Sequence, residues 1–159
     1  MKIKTIQMAA IMLFTIALCS CSNQGKDVDN PEIDITDNTY IGKLTVDQND
    51  GSFYIQEKVS IQVQKDDDNS LKLIMHKVKF SEKMPISLNM TIPGVSQTEI
   101  SDYISIQGEN IIPIAMGGAF PKYTIKNMTG KITRTEINFS LICGDYPLSF
   151  SGVVLESGN

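Results

Sequence analysis

Phe53-Tyr54-Ile55-Gln56-Glu57-Lys58-Val59-Ser60-Ile61-Gln62-Val63 is the stretch on which the fold class turns. Its odd positions carry Phe53, Ile55, Glu57, Val59, Ile61 and Val63, and its even positions Tyr54, Gln56, Lys58, Ser60 and Gln62. Successive side chains of a strand point to opposite faces, so this alternation predicts a strand with one face in a core and the other in water. Ile86-Ser87-Leu88-Asn89-Met90-Thr91-Ile92 alternates without a break. So do Ile137-Asn138-Phe139-Ser140-Leu141 and Tyr146-Pro147-Leu148-Ser149-Phe150-Ser151-Gly152. In the first run Tyr40, Gly42, Leu44 and Val46 face one way, and Lys43, Thr45 and Asp47 the other.

Turn chemistry separates the runs. Gln48-Asn49-Asp50-Gly51 ends the first, and Asp-Gly is a strong hairpin signal. Lys65-Asp66-Asp67-Asp68-Asn69-Ser70 ends the second. Further breaks are expected at Ile92-Pro93-Gly94, Gln107-Gly108-Glu109-Asn110, Met116-Gly117-Gly118 and Cys143-Gly144-Asp145. The expected fold is all-β: a small antiparallel up-and-down barrel of about eight strands. The apolar phase switches near Ile74 and near Asn127, and a β-bulge at each is the expected cause. Ile100, Tyr103 and Ile104 fit one helical turn as well as a strand end.

Composition narrows the function. With 159 residues, 42% apolar and 20% charged, the chain holds one domain's worth of sequence. Three cysteines are too few for a disulfide framework, and one histidine is too few for a multi-histidine metal site. A net charge of −4 argues against a nucleic-acid partner, which calls for a basic face to neutralise phosphates.

The N-terminus reads as an address. Lys2 and Lys4 precede an almost wholly apolar run from Ile6 to Leu18. That is the pattern of a secretory signal, and it falls short of the roughly 20 apolar residues of a spanning helix. Leu18-Cys19-Ser20-Cys21 then resembles a bacterial lipobox, with Leu18 three residues before Cys21 and the small Ser20 just before it. Cys19 fits less well, because Leu18 would occupy the position that needs a small side chain. The expected organisation is a lipoprotein signal peptide over residues 1–20, an acidic flexible tether over 21–37 and a barrel domain over 38–159. Cys21 is the lipid-bearing first residue of the mature chain, and acyl chains at about 0.8 kcal/mol per buried CH₂ would anchor it to a membrane. Cleavage removes Lys2 and Lys4 and leaves 12 basic against 18 acidic residues, a net of −6. Cys143 is then the one remaining unmodified thiol, so no internal disulfide is expected.

The lipobox, the acidic tether and the strand Tyr40-Ile41-Gly42-Lys43-Leu44-Thr45-Val46 resemble the calycin-like β-barrel lipoproteins of Bacteroides-type bacteria. Thr129-Gly130-Lys131-Ile132, Ile137-Asn138-Phe139-Ser140-Leu141 and Pro147-Leu148-Ser149-Phe150-Ser151-Gly152 extend the resemblance to the end of the domain. It implies an eight-stranded up-and-down barrel and an outer-membrane location, on the cell surface or the periplasmic face, and no particular activity. Lipocalins carry Gly-x-Trp on their first strand; this chain has no Trp, so lipocalin ligand specificity is not implied.

The chemical inventory is thin. His76, the one imidazole, is expected to be an ordinary strand histidine, sharing an inward face with Ile74 and Val78 if the phase switches at Ile74. Cys143 continues the phase of Ile137, Phe139 and Leu141, as a small buried apolar residue does. Asp66-Asp67-Asp68-Asn69 lacks the alternate spacing, the glycine and the closing Glu of a calcium loop, so a solvated hairpin is expected. Lys72, Lys77, Lys79 and Lys83 form a modest basic strip on an outer face.

No catalytic set, metal or cofactor is expected. The expected role is a binding module, anchored to the membrane through its N-terminal lipid, for a small apolar ligand or an envelope protein. The expected interior lining is Tyr40, Phe53, Ile55, Val59, Ile61, Leu88, Met90, Phe139, Leu141 and Phe150, with Glu57 as its one polar member. The alternative is a packed barrel acting as a structural or interaction component of a cell-envelope complex.

Overall fold

A computed structural model of the chain describes residues 33–35, 37–67 and 69–155. The segments expected to be the signal peptide and most of the tether, Cys21 included, lie outside the described residues. The strands are β1 (Thr39–Asp47), β2 (Phe53–Asp67), β3 (Ser70–Val78), β4 (Leu88–Ile100), β5 (Tyr103–Gly108), β6 (Ile114–Ala115), β7 (Gly118–Ala119), β8 (Ile125–Ile132), β9 (Glu136–Cys143) and β10 (Tyr146–Val154). Apart from the tiny β6–β7 hairpin, each strand pairs antiparallel with the next, and β10 returns to β1 from Val46↔Leu148 to Tyr40↔Val154. The result is a closed eight-stranded antiparallel barrel of simple up-and-down order. β5 is short, so β6 takes the place beside β4 (Met90↔Ala115) and Ile111 bridges to Ile125 on β8, which completes the wall.

The ladder is interrupted by bulges, and these decide which side chains point inward. At four of them the extra stretch contains a residue with positive φ: Lys58 (56°), Lys77 (52°), Gly94 (62°) and Asn127 (49°). The left-handed conformation suits Gly and is tolerated by Asn, whereas at Lys it costs about 1–2 kcal/mol. Neighbouring side chains meet three of the backbone N–H groups that the bulges free. Lys77 N donates to Asn89 Oδ1 at 3.0 Å, Gly94 N to Asp66 Oδ2 at 2.9 Å and Asn127 N to Glu109 Oε2 at 2.7 Å.

Several expectations change accordingly. Two residues of β2, Glu57 and Lys58, stand opposite Lys43 alone, so the parity of β2 flips there. Val59, Ile61 and Val63 are buried, but Phe53, Ile55 and Glu57 face solvent, with Phe53 63% and Ile55 51% exposed. Those three do not line the interior. In β3 the switch falls at Lys77 rather than Ile74: Leu71, Leu73 and Met75 are buried, then Val78. His76 therefore shares a half-buried outer face with Ile74 and does not point inward. Asn127 is a bulge as expected. Pro93-Gly94 is the bulge of a continuous β4 and not a break between strands. Ile100 and Tyr103 pair across a tight β4–β5 turn, with no helical turn. The domain also starts earlier than residue 38, because Ile33 and Ile35 are buried in the core.

The interior is filled. Tyr40, Leu44, Val46, Ile61, Val63, Leu73, Met90, Ile92, Val95, Ile106, Ile125, Ile132 and Ile137 have 0% exposure. A void large enough for water would give its lining residues accessible surface, so no such void touches these side chains. Phe139 and Phe150 stack at 5.6 Å across β9 and β10. Glycines make room for them: a Cβ on Gly152 would lie 2.7 Å from the Phe150 ring, and one on Gly130 2.5 Å from Phe139 Cβ. Ile33 and Ile35 close one end, near which Tyr40 Oη donates to Thr133 O at 3.0 Å. At the far end Phe80 is buried and stacks on Tyr123 at 5.1 Å and on Tyr146 at 6.1 Å.

Candidate functional site: the far rim of the barrel

Of the residues expected to hold a ligand, Tyr40, Val59, Ile61, Leu88, Met90, Phe139, Leu141 and Phe150 are brought together in the core. They pack against one another. The groups that carry chemistry elsewhere are committed here to structure. Cys143 is buried, its Sγ lies 3.6 Å from Tyr123 O, and burial pushes its thiol up to about 12, so it stays protonated at neutral pH. Burial also raises the Tyr40 phenol, against a smaller opposing hydrogen bond from Asn38. Asp67 is held below its ordinary range, chiefly by the backbone N–H of Asn69 and then by Ser70, which is the electrostatics of a tight turn. Among the described residues no cluster of His, Cys, Asp and Glu has the geometry to hold a metal ion.

The outer surface is less uniform. Among the described residues nine large apolar side chains are exposed, and six of them sit at the far end: Phe53, Ile55, Ile86, Ile112, Ile114 and Met116. Ile86 precedes β4, and Ile114 stands on β6 opposite Thr91 of β4. Together with Met116 they line one shallow groove. Met116 and Gly117 form the two-residue turn of the β6–β7 hairpin, with φ of 54° and 85°. Asn, Asp or Gly is the usual first residue of such a turn. Here it is a methionine, 73% exposed and at positive φ.

Sequence reading passes over this rim although the signal is present. Ile112, Ile114 and Met116 share one parity, while Pro113 and Ala115 of the opposite parity are the buried ones. Period two locates the two faces of a strand but does not say which face has a neighbour. Comparison with family models, curated proteins and solved structures finds no match to this chain. The protein is a closed eight-stranded antiparallel β-barrel, compatible with the calycin-like fold.

Proposed function

We propose that this chain is a lipid-anchored, non-enzymatic module of the outer membrane that binds an envelope protein through the far rim of its barrel. Holding a small apolar ligand in the lumen is the less favoured form of binding. The observation that carries this reading is the filled interior. An eight-stranded barrel has just enough room for its own side chains or for one small ligand, and here aromatic and branched residues occupy that space. The apolar surface left over is concentrated at the end opposite Ile33, where the chain continues toward the lipid-bearing Cys21. On a tethered domain, that end is free to turn away from the membrane. Ile86, Ile114 and Met116 share one groove there, and contiguous exposed apolar patches commonly mark interaction sites.

Two measurements test it. Native mass spectrometry of protein purified from its own host should show the lipidated chain with no retained small molecule. A photo-crosslinking residue at Met116 should give a discrete adduct in host cells, and one at Val153, near the opposite end, should not. A stoichiometric bound small molecule would overturn the rim reading in favour of the lumen.

A further inference from the structure

The start of β2 leaves a strand edge of the barrel wall without a neighbour. β1 accompanies β2 from Asp47↔Phe53 to Thr39↔Gln62. On the other side, β3 pairs with β2 only from Ser60↔His76 onward. After β3 the chain leaves the wall, since Phe80 turns over the mouth of the barrel, stacks on Tyr123 and accepts a hydrogen bond on its carbonyl from Gln48 Nε2 at 2.9 Å. Residues 53–57 therefore have a strand on one side and none on the other. Gln56 bridges the gap that opens there: its Nε2 donates to Lys77 O at 2.8 Å and its Oε1 accepts from Lys79 N at 3.0 Å. That amide satisfies the end of β3 but does not supply a strand beside β2.

Two further features give this edge a character. Its outward side chains, Phe53 and Ile55, are apolar and exposed. Natural proteins normally protect such an edge, because its unpaired N–H and C=O groups are a template for another chain. The edge is also locally basic on an acidic protein. Lys58, Lys77 and Lys79 border it, with Lys43 on β1, against Glu57, Asp47 and the Asp50 of the adjoining turn, which has Lys83 near it, while the chain as a whole carries −4.

We propose that the 53–57 edge of β2 accepts an extended, acidic segment of a partner protein, which adds to the barrel wall as a further strand. Only a strand matches the spacing of the open backbone groups. Alternate apolar residues on that strand would cover Phe53 and Ile55, and flanking carboxylates would meet the lysines. This inference rests on the rim reading above and specifies the kind of partner the rim takes.

The test uses the unlipidated chain and the synthetic peptide Asp-Val-Thr-Val-Glu-Val-Thr-Val-Asp. In the free protein, amides of residues 53–57 that point away from β1 should exchange at least about tenfold faster than the interior ladder of β1. Saturating peptide should slow that exchange about tenfold or more, and binding should weaken with added salt. Ile55→Glu should raise the peptide Kd at least about tenfold, whereas Val153→Glu should leave it within about twofold. Both positions are exposed, so both variants should fold. The inference is overturned if the open-side amides are already protected in the free protein, or if protection on binding appears elsewhere. It also fails if a peptide with lysine in place of its acids binds as tightly, or if the protein pairs this edge with a second copy of itself. Failure here together with a Met116 adduct in cells would remove the strand-addition mode alone and leave the rim reading standing.

Discussion

Ile61 and Ile55 are the same residue type on the same strand, at positions of the same parity, and replacing each by alanine should have very unequal consequences. Ile61 has 0% exposure and lies between Tyr40 on β1 and Met75 on β3, which are themselves buried. Ile→Ala removes about three methyl or methylene groups, or about 2.4 kcal/mol of transfer free energy at about 0.8 kcal/mol each. A closed barrel has little freedom to collapse around the hole, so a cavity cost adds to this and brings the loss to about 3–4 kcal/mol. Ile55 is 51% exposed on the far side of the Lys58 bulge. Its replacement should cost no more than about 0.5–1 kcal/mol. In urea, with a slope of about 1–3 kcal/mol per molar, the Ile61→Ala midpoint should fall by more than about 1 M and the Ile55→Ala midpoint by much less. Equal losses at the two positions would refute the bulge, since an uninterrupted strand puts both side chains on one face. Deleting Lys58 is the complementary perturbation. It removes the extra residue, so Glu57 alone would stand opposite Lys43, Phe53, Ile55 and Glu57 would keep their outward face, and the chain should still fold cooperatively.

The buried Cys143 thiol should resist a disulfide reagent at neutral pH and react only on unfolding. Its folded-state pKa of about 12 lies above the ordinary 9.0, so it favours the folded state fully below pH 9, and that contribution is lost as pH rises from 9 toward 12; alkaline unfolding monitored by circular dichroism checks the direction. Gly152→Ala places a Cβ 2.7 Å from the Phe150 ring and should cost about 1–3 kcal/mol by the same denaturant assay. A chain beginning at Asn38 should be less stable than one beginning at Asn30 by about 2–4 kcal/mol, because it lacks the buried Ile33 and Ile35; equal midpoints would return the domain boundary to 38. Cys21→Ala should accumulate as an unprocessed precursor that takes up no labelled palmitate, and labelling that persists there but disappears in Cys19→Ala would move the anchor to Cys19.

What the sequence alone determined is the class of the fold. Period-two alternation at Phe53–Val63 and in the runs containing Leu88, Phe139 and Phe150, with turn residues between them, commits the chain to antiparallel strands, and their number commits it to a small closed barrel. Both follow from local chemistry, because a strand's faces and a hairpin's turn are properties of neighbouring residues. The inward face beyond a bulge is not. Asn127 announces its bulge because Asn tolerates positive φ, but Lys58 and Lys77 carry no such mark, and a single extra residue at Lys58 moves Phe53, Ile55 and Glu57 from the expected lining to the outer surface. The free edge of β2 and the apolar rim around Met116 are less legible still. An unpaired edge exists only because β3 ends and Phe80 turns over the mouth, and that depends on what stands beside a strand in space. Tertiary packing also settled the interior: alternation supplies the inward side chains, whereas their summed volume against the size of an eight-stranded barrel decides whether any room is left for a ligand.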